Sequence, residues 1–137
     1  NLLPPFDPAI SLAAGGDDSI IYYHSYWKLE ADESLVIEVQ PPACDNWNFQ
    51  LNNYWMESLD YRYHSVSINK HQAEVETNGL IRVIVAHRDP GLPNWLDTAH
   101  HREGTMCWRW YRLSEGAAPV EPTCKVIKVE EPEQNEA

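Results

Sequence analysis

Two runs of alternating apolar and polar residues meet at Asn78-Gly79, with Ala73-Glu74-Val75-Glu76-Thr77 before the pair and Leu80 to Ala86 after it. Both residues of an Asn-Gly pair tolerate positive φ, so between two period-two segments it predicts a β-hairpin. The same period of two recurs along the chain. Leu35, Ile37 and Val39 alternate with Val36, Glu38 and Gln40, and Met106, Trp108 and Trp110 alternate with Cys107, Arg109 and Tyr111. It is sharpest where Trp47, Phe49 and Leu51 share one face and Asn46, Asn48, Gln50 and Asn52 the other, a strand with a polar amide face. Ile20 to Leu29, His64 to Ile68 and Cys124 to Val129 read as further strands. No stretch sustains a capped 3.6-residue period, although Asn53 to Leu59 has room for one helical turn. Short strands at intervals of about ten residues, separated by turn signals, predict an all-β fold: a jelly-roll-like antiparallel β-sandwich with few or no helices.

With 137 residues the chain suits one domain. Pro4, Pro5, Pro8 and the turn residues Gly15-Gly16-Asp17-Asp18 mark 1–18 as an N-terminal arm or linker. Residues 19–129 form the expected single domain, and 130–137, with Glu130, Glu131, Glu133 and Glu136, an acidic tail. Asp89-Pro90-Gly91 is turn chemistry, and Pro93 keeps the following residues out of regular pairing, so 89–104 is expected as a long loop. The net charge of −11 argues against a polyanion such as nucleic acid as partner. No apolar run approaches the roughly 20 residues of a spanning helix. Cys44, Cys107 and Cys124 are odd in number and lack C-x-x-C spacing, so they read as small buried hydrophobes, which leans toward a reducing, cytoplasmic setting.

Six Trp and seven Tyr against two Phe point to half-wet surfaces and pockets as well as core. The densest functional-looking stretch is His87 to Asp97, where donors, acceptors and Trp95 surround two prolines and a glycine. Two readings stand side by side there: a ligand loop, or a structural one with Trp95 as an inward plug and Asn94 satisfying backbone groups. The six histidines show no metal-ligand spacing, and neither a metal nor a cofactor is implied. No nucleophile motif occurs. Asp89 and Asp97 are candidate acid-base groups, with turn capping as the competing role, and His64 and His87 are candidate assistants.

The run Asn46-Trp47-Asn48-Phe49-Gln50-Leu51-Asn52-Asn53-Tyr54-Trp55, with Asn69, Asn78-Gly79, Asp89-Pro90-Gly91, Asn94-Trp95-Leu96-Asp97 and Arg109-Trp110 in that order, resembles the bacterial domain-of-unknown-function family numbered 1214. The resemblance spans about residues 19–129 and implies a jelly-roll sandwich, usually the C-terminal domain of a longer protein, with no established activity. The chain has Asn78-Gly79 where that family typically has Asp-Gly, and His100-His101 where Gly-His is expected.

These observations favour an accessory domain that binds a small polar molecule, sugar-like in character, over catalysis. Trp55, Trp95 and Tyr63 would supply an aromatic platform, and Asn52, Asn94 and Arg109 the orienting donors. That reading requires these side chains to converge. An enzyme using Asp89 or Asp97 with His64 or His87, and Arg109 to stabilise negative charge, is the alternative, and it requires a titratable pair within hydrogen-bond reach. A third reading is an interaction module, contacting another domain or a second copy through exposed aromatics.

Overall fold

A computed structural model describes residues 1–129; the expected acidic tail 130–137 lies outside the described residues. The chain forms a short helix α1 (Pro8–Ala13) and eight strands: β1 (Ile20–Lys28), β2 (Glu33–Val39), β3 (Cys44–Asn52), β4 (Ser67–Asn69), β5 (Ile81–Ala86), β6 (Trp95–Asp97), β7 (Glu103–Leu113) and β8 (Thr123–Lys128). They make two four-stranded sheets, ordered β1-β7-β3-β4 and β6-β5-β2-β8, which pack as an all-β sandwich. Among the described residues no helix is long and apolar enough to cross a membrane.

Period-two alternation builds the core. In the first sheet Tyr23, Trp108 and Phe49 lie in one inward row, and Ile21, Trp110 and Trp47 in the next. Trp47 stacks on Trp108 at 4.8 Å between ring centroids, and Trp108 lies 5.4 Å from Trp110. From the second sheet Leu35, Ile37, Val39, Ile81, Val83 and Val85 face them, all buried. Gly104 lets β7 come close to the end of β3: a Cβ there would sit 2.0 Å from the Asn52 carbonyl oxygen.

Three elements differ from expectation. The turn at Asn78-Gly79 forms, with Gly79 N–H donating to Glu76 O and Glu76 N–H to Leu80 O, but no hairpin of strands grows from it. Only Gly79 takes positive φ, at 85°; Asn78 instead accepts the Leu80 N–H through its side chain. Residues 73–77 are not a strand, because β5 takes its partners elsewhere, antiparallel to β2 and parallel to β6. The β5–β6 pair also departs from an all-antiparallel sandwich and places three residues of strand inside the expected 89–104 loop. Lastly, the arm 1–18 lies against the sandwich. The Asn1 side chain pairs with the Lys28 backbone, Phe6 N–H donates to Tyr22 O, and Leu3 is buried in the core. This covers the free edge of β1. Within the arm Pro8 starts α1 rather than breaking it, with Asp7 as its N-cap.

Candidate functional site

The residues expected to form one platform are distributed over different parts of the sandwich. Asn94 and Trp95 serve the fold. Asn94 has φ 58°, accepts the Glu74 N–H at 2.8 Å, and donates to the carbonyls of Glu74 (2.8 Å) and Arg82 (3.0 Å). The Trp95 indole N–H donates to Ala86 O at 3.1 Å. Neither bonds to Arg109, so a platform joining them to it is not built; backbone groups needing partners around the parallel pair have claimed both side chains. Tyr63 is exposed and carries the Arg62 guanidinium 5.4 Å over its ring.

Trp55 and Arg109 belong to a different surface, the outer face of the β1-β7-β3-β4 sheet. Strand register lays this face out in rows: Ile20, Tyr111 and Asn46; Tyr22, Arg109, Asn48 and Asn69; His24, Cys107, Gln50 and Ser67; Tyr26, Thr105 and Asn52. Arg109 sits on β7, a central strand, with Nη1 donating to Gln50 Oε1 at 3.0 Å and Asn48 Oδ1 at 3.3 Å, and its guanidinium 5.7 Å from the Tyr22 ring centre. Asn48 in turn donates to the Tyr111 hydroxyl, and Gln50 to Asn52 Oδ1. Asn52 itself is buried, so it props Gln50 rather than meeting solvent.

Next to Tyr26 the face runs into an exposed aromatic group. Tyr26 lies 6.4 Å from Tyr54, which meets Trp55 edge-on at 5.0 Å, and the three are 63%, 57% and 75% exposed. Tyr26 is presented by β1, and Asn53 fixes the turn that presents Tyr54 and Trp55. Its Oδ1 accepts the N–H groups of Trp55 and Glu57, its Nδ2 donates to Glu57 Oε1, and Met56 takes φ 62° to close the loop. Sequence pattern gave the amide row on β3, yet missed that Tyr22, His24 and Tyr26 complete it. The signal was available: these are the even-numbered residues of a strand whose odd positions carry Tyr23 and Trp27.

His24 stacks on Tyr22, takes the edge of Phe6 from the arm, and has Nε2 3.7 Å from Cys107 Sγ. Burial, with Arg109 nearby, holds its imidazole below the ordinary histidine range, so near neutral pH it is uncharged. Burial pushes the Cys107 and Cys124 thiols up to about 11 and raises Cys44 as well, which leaves all three as poor nucleophiles.

The acid-base candidates also separate. Asp89 accepts the Gly91 N–H at 2.8 Å, an Asx turn. His87 is held at both ring nitrogens, by Thr98 Oγ1 at 2.7 Å and Leu29 O at 3.3 Å. His64 and Asp97, in contrast, form a pair, Nδ1 to Oδ2 at 2.6 Å, with the second Asp97 oxygen accepting the Ala99 N–H. The turn after them places both Ala99 (φ 48°) and His100 (φ 68°) in the left-handed region, closed by His101 N–H to Thr98 O. A turn with two positive-φ central residues normally uses Asn or Gly. His100 occupies the expected glycine position and its ring packs edge-on to His64 at 5.5 Å. Arg109 bonds with Asn48 and Gln50 rather than with this pair. No group of three metal-ligating side chains occurs among the described residues.

No family model and no curated protein matches the chain. Among solved structures it is similar to an uncharacterized protein from Burkholderia cenocepacia, with a TM-score of 0.88 and 55% identity over 93% of this chain and 35% of that one. A protein from Vibrio parahaemolyticus is similar in fold, with a TM-score of 0.63 and 14% identity over 80% of this chain and 31% of the other. The chain therefore spans about a third of the length of each.

Proposed function

We propose that this β-sandwich is an accessory domain of a longer protein, of the kind the resemblance to domain-of-unknown-function family 1214 implies, and that it binds a sugar-like polar ligand. The ligand lies on the outer face of the β1-β7-β3-β4 sheet. The observation that carries this reading is the exposed aromatic group of Tyr26 on β1 with Tyr54 and Trp55 on the turn held by Asn53, continuous with an amide and guanidinium surface. Exposed aromatic rings grouped on a strand and a rigid turn offer apolar area for stacking on sugar C–H faces, and the amides offer oriented donors and acceptors for hydroxyls. Solved chains of about three times this length agree with a domain role. Titration of a panel of soluble oligosaccharides, read by calorimetry, tests the proposal. Binding that falls at least tenfold in Trp55→Ala, with the thermal midpoint unmoved, supports it; no binding of any member at millimolar concentration overturns it.

A second reading, general acid-base catalysis, is favoured by the His64–Asp97 pair and the strained turn beside it. A carboxylate on Nδ1 fixes the tautomer and leaves Nε2 as the proton acceptor. Strained non-glycine backbone concentrates at functional sites. His100→Gly separates the roles. It relieves the strain, so a merely structural turn gives equal or greater stability with nothing else changed. If His100 belongs to a reacting site, any hydrolytic activity found in a substrate screen falls in that variant.

A further inference from the structure

We infer that the ligand of the outer face is an acidic oligosaccharide, with a uronic-acid carboxylate seated at Arg109 and a further ring stacked against the Tyr26, Tyr54 and Trp55 group. This rests on the sugar-binding reading above and names the ligand class.

Charge is the first argument. The chain carries 21 acidic residues, yet none falls in the four paired rows from Ile20 to Tyr26. Of the ten Lys and Arg, Arg109 alone is half-buried, the other nine being exposed. The Lys and Arg ion pairs of the described residues use Arg62, Arg82, Arg112 and Lys128, all exposed, while Arg109 has only amide oxygens and the Tyr22 ring. A partly buried cation facing neutral partners lacks the counter-charge that ordinarily accompanies burial. One nitrogen, Nη1, takes both amide contacts, so the planar fork keeps donors for a carboxylate, which it matches in geometry. His24, the neighbouring titratable group on the face, is uncharged near neutral pH, so the guanidinium supplies the positive charge.

Span is the second argument. From the Arg109 row to the Tyr26 row is four residues of strand, about 13 Å. One pyranose ring does not bridge that distance, so occupying both ends takes an oligomer. Between the ends lies Gln50, and Asn48 sits beside Arg109 in its row; both amides are already oriented by Arg109, Asn52 and Tyr111. They suit ring hydroxyls, and their fixed geometry lowers the ordering cost of binding.

The experiment is calorimetric titration of the intact chain with trigalacturonate, its fully methyl-esterified form and sodium acetate, at constant ionic strength. Trigalacturonate is expected to bind at least tenfold more tightly than the ester, and Arg109→Gln, checked for an unchanged thermal midpoint, is expected to erase that difference. The acid-to-ester comparison on the unaltered protein stands whether or not the variant folds. Equal binding of acid and ester, lost in Trp55→Ala, overturns the carboxylate assignment and leaves the sugar-binding reading intact. Acetate displacing trigalacturonate at equal concentration overturns the oligomer. Absence of binding by acid and ester alike overturns the inference, and the wider oligosaccharide panel then decides the underlying reading separately.

Discussion

Two tryptophan-bearing turns, each governed by an asparagine, end in opposite states. In the segment leading into β6, Asn94 uses its whole amide on the backbone of residues 74 and 82, and Trp95 spends its indole N–H on Ala86. In the turn after β3, Asn53 likewise uses its amide locally, on residues 55 and 57, yet Trp55 is left 75% exposed. The first turn stitches a strand into a sheet, so its aromatic residue is consumed by the fold. The second ties off a loop whose backbone is satisfied without the indole. Asparagine beside tryptophan is therefore no evidence of a site by itself; what distinguishes the two is whether the aromatic ring is still needed once the backbone is paired.

The largest effect that separates them is expected from Asn94→Ala. It leaves one N–H and two carbonyls without their partner and puts alanine at φ 58°, a cost of about 2 to 3 kcal/mol. Urea denaturation should show a lowered midpoint at unchanged slope, with oligosaccharide affinity of the folded fraction unaltered. Trp95→Phe comes next, at about 1 to 2 kcal/mol for the lost bond to Ala86 and the lost ring volume. A stability change near zero in either variant would mean that the β6 segment is not held as described, and the contrast with Trp55 would collapse.

The sequence made the sandwich legible wherever burial on one side enforced alternation, as at Trp47, Phe49 and Leu51, because a one-residue slip would turn every side chain over. It was misleading at Asn78-Gly79. There the turn chemistry was read correctly, but a local turn does not decide which strand β5 pairs with; long-range partners, β2 and β6, did. Of the site, Arg109 and Trp55 were recognisable as residues and His64 and Asp97 as a possible acid-base set. Their grouping was not. Arg109 meets Asn48 and Gln50 only through the register of β3 on β7, and His64 meets Asp97 across 33 residues of chain. Asn94 and Trp95 were drawn into the wrong group because polar and aromatic residues in a Pro-Gly loop look alike whether they face a ligand or the backbone.

The exposed turn should respond in the opposite sense. Asn53→Ala removes the acceptor of the Trp55 and Glu57 N–H groups in a solvent-exposed turn, where water replaces much of what is lost, so about 0.5 to 1 kcal/mol of stability is expected to go. Oligosaccharide affinity should drop several-fold, because Tyr54 and Trp55 would then have to be ordered on binding. Trp55→Ala is the smallest perturbation of the fold, within about 0.5 kcal/mol, since the side chain is mostly in water and its one ring contact is to Tyr54, itself exposed. That near-silence is what makes it informative. Where Asn94→Ala lowers stability and spares binding, Trp55→Ala should spare stability and remove binding, and the pair measured together gives a crossed pattern that no general loss of folding can imitate. A Trp55→Ala variant that unfolds early would place the indole among the structural aromatics beside Trp95, and the platform would lose its outer ring.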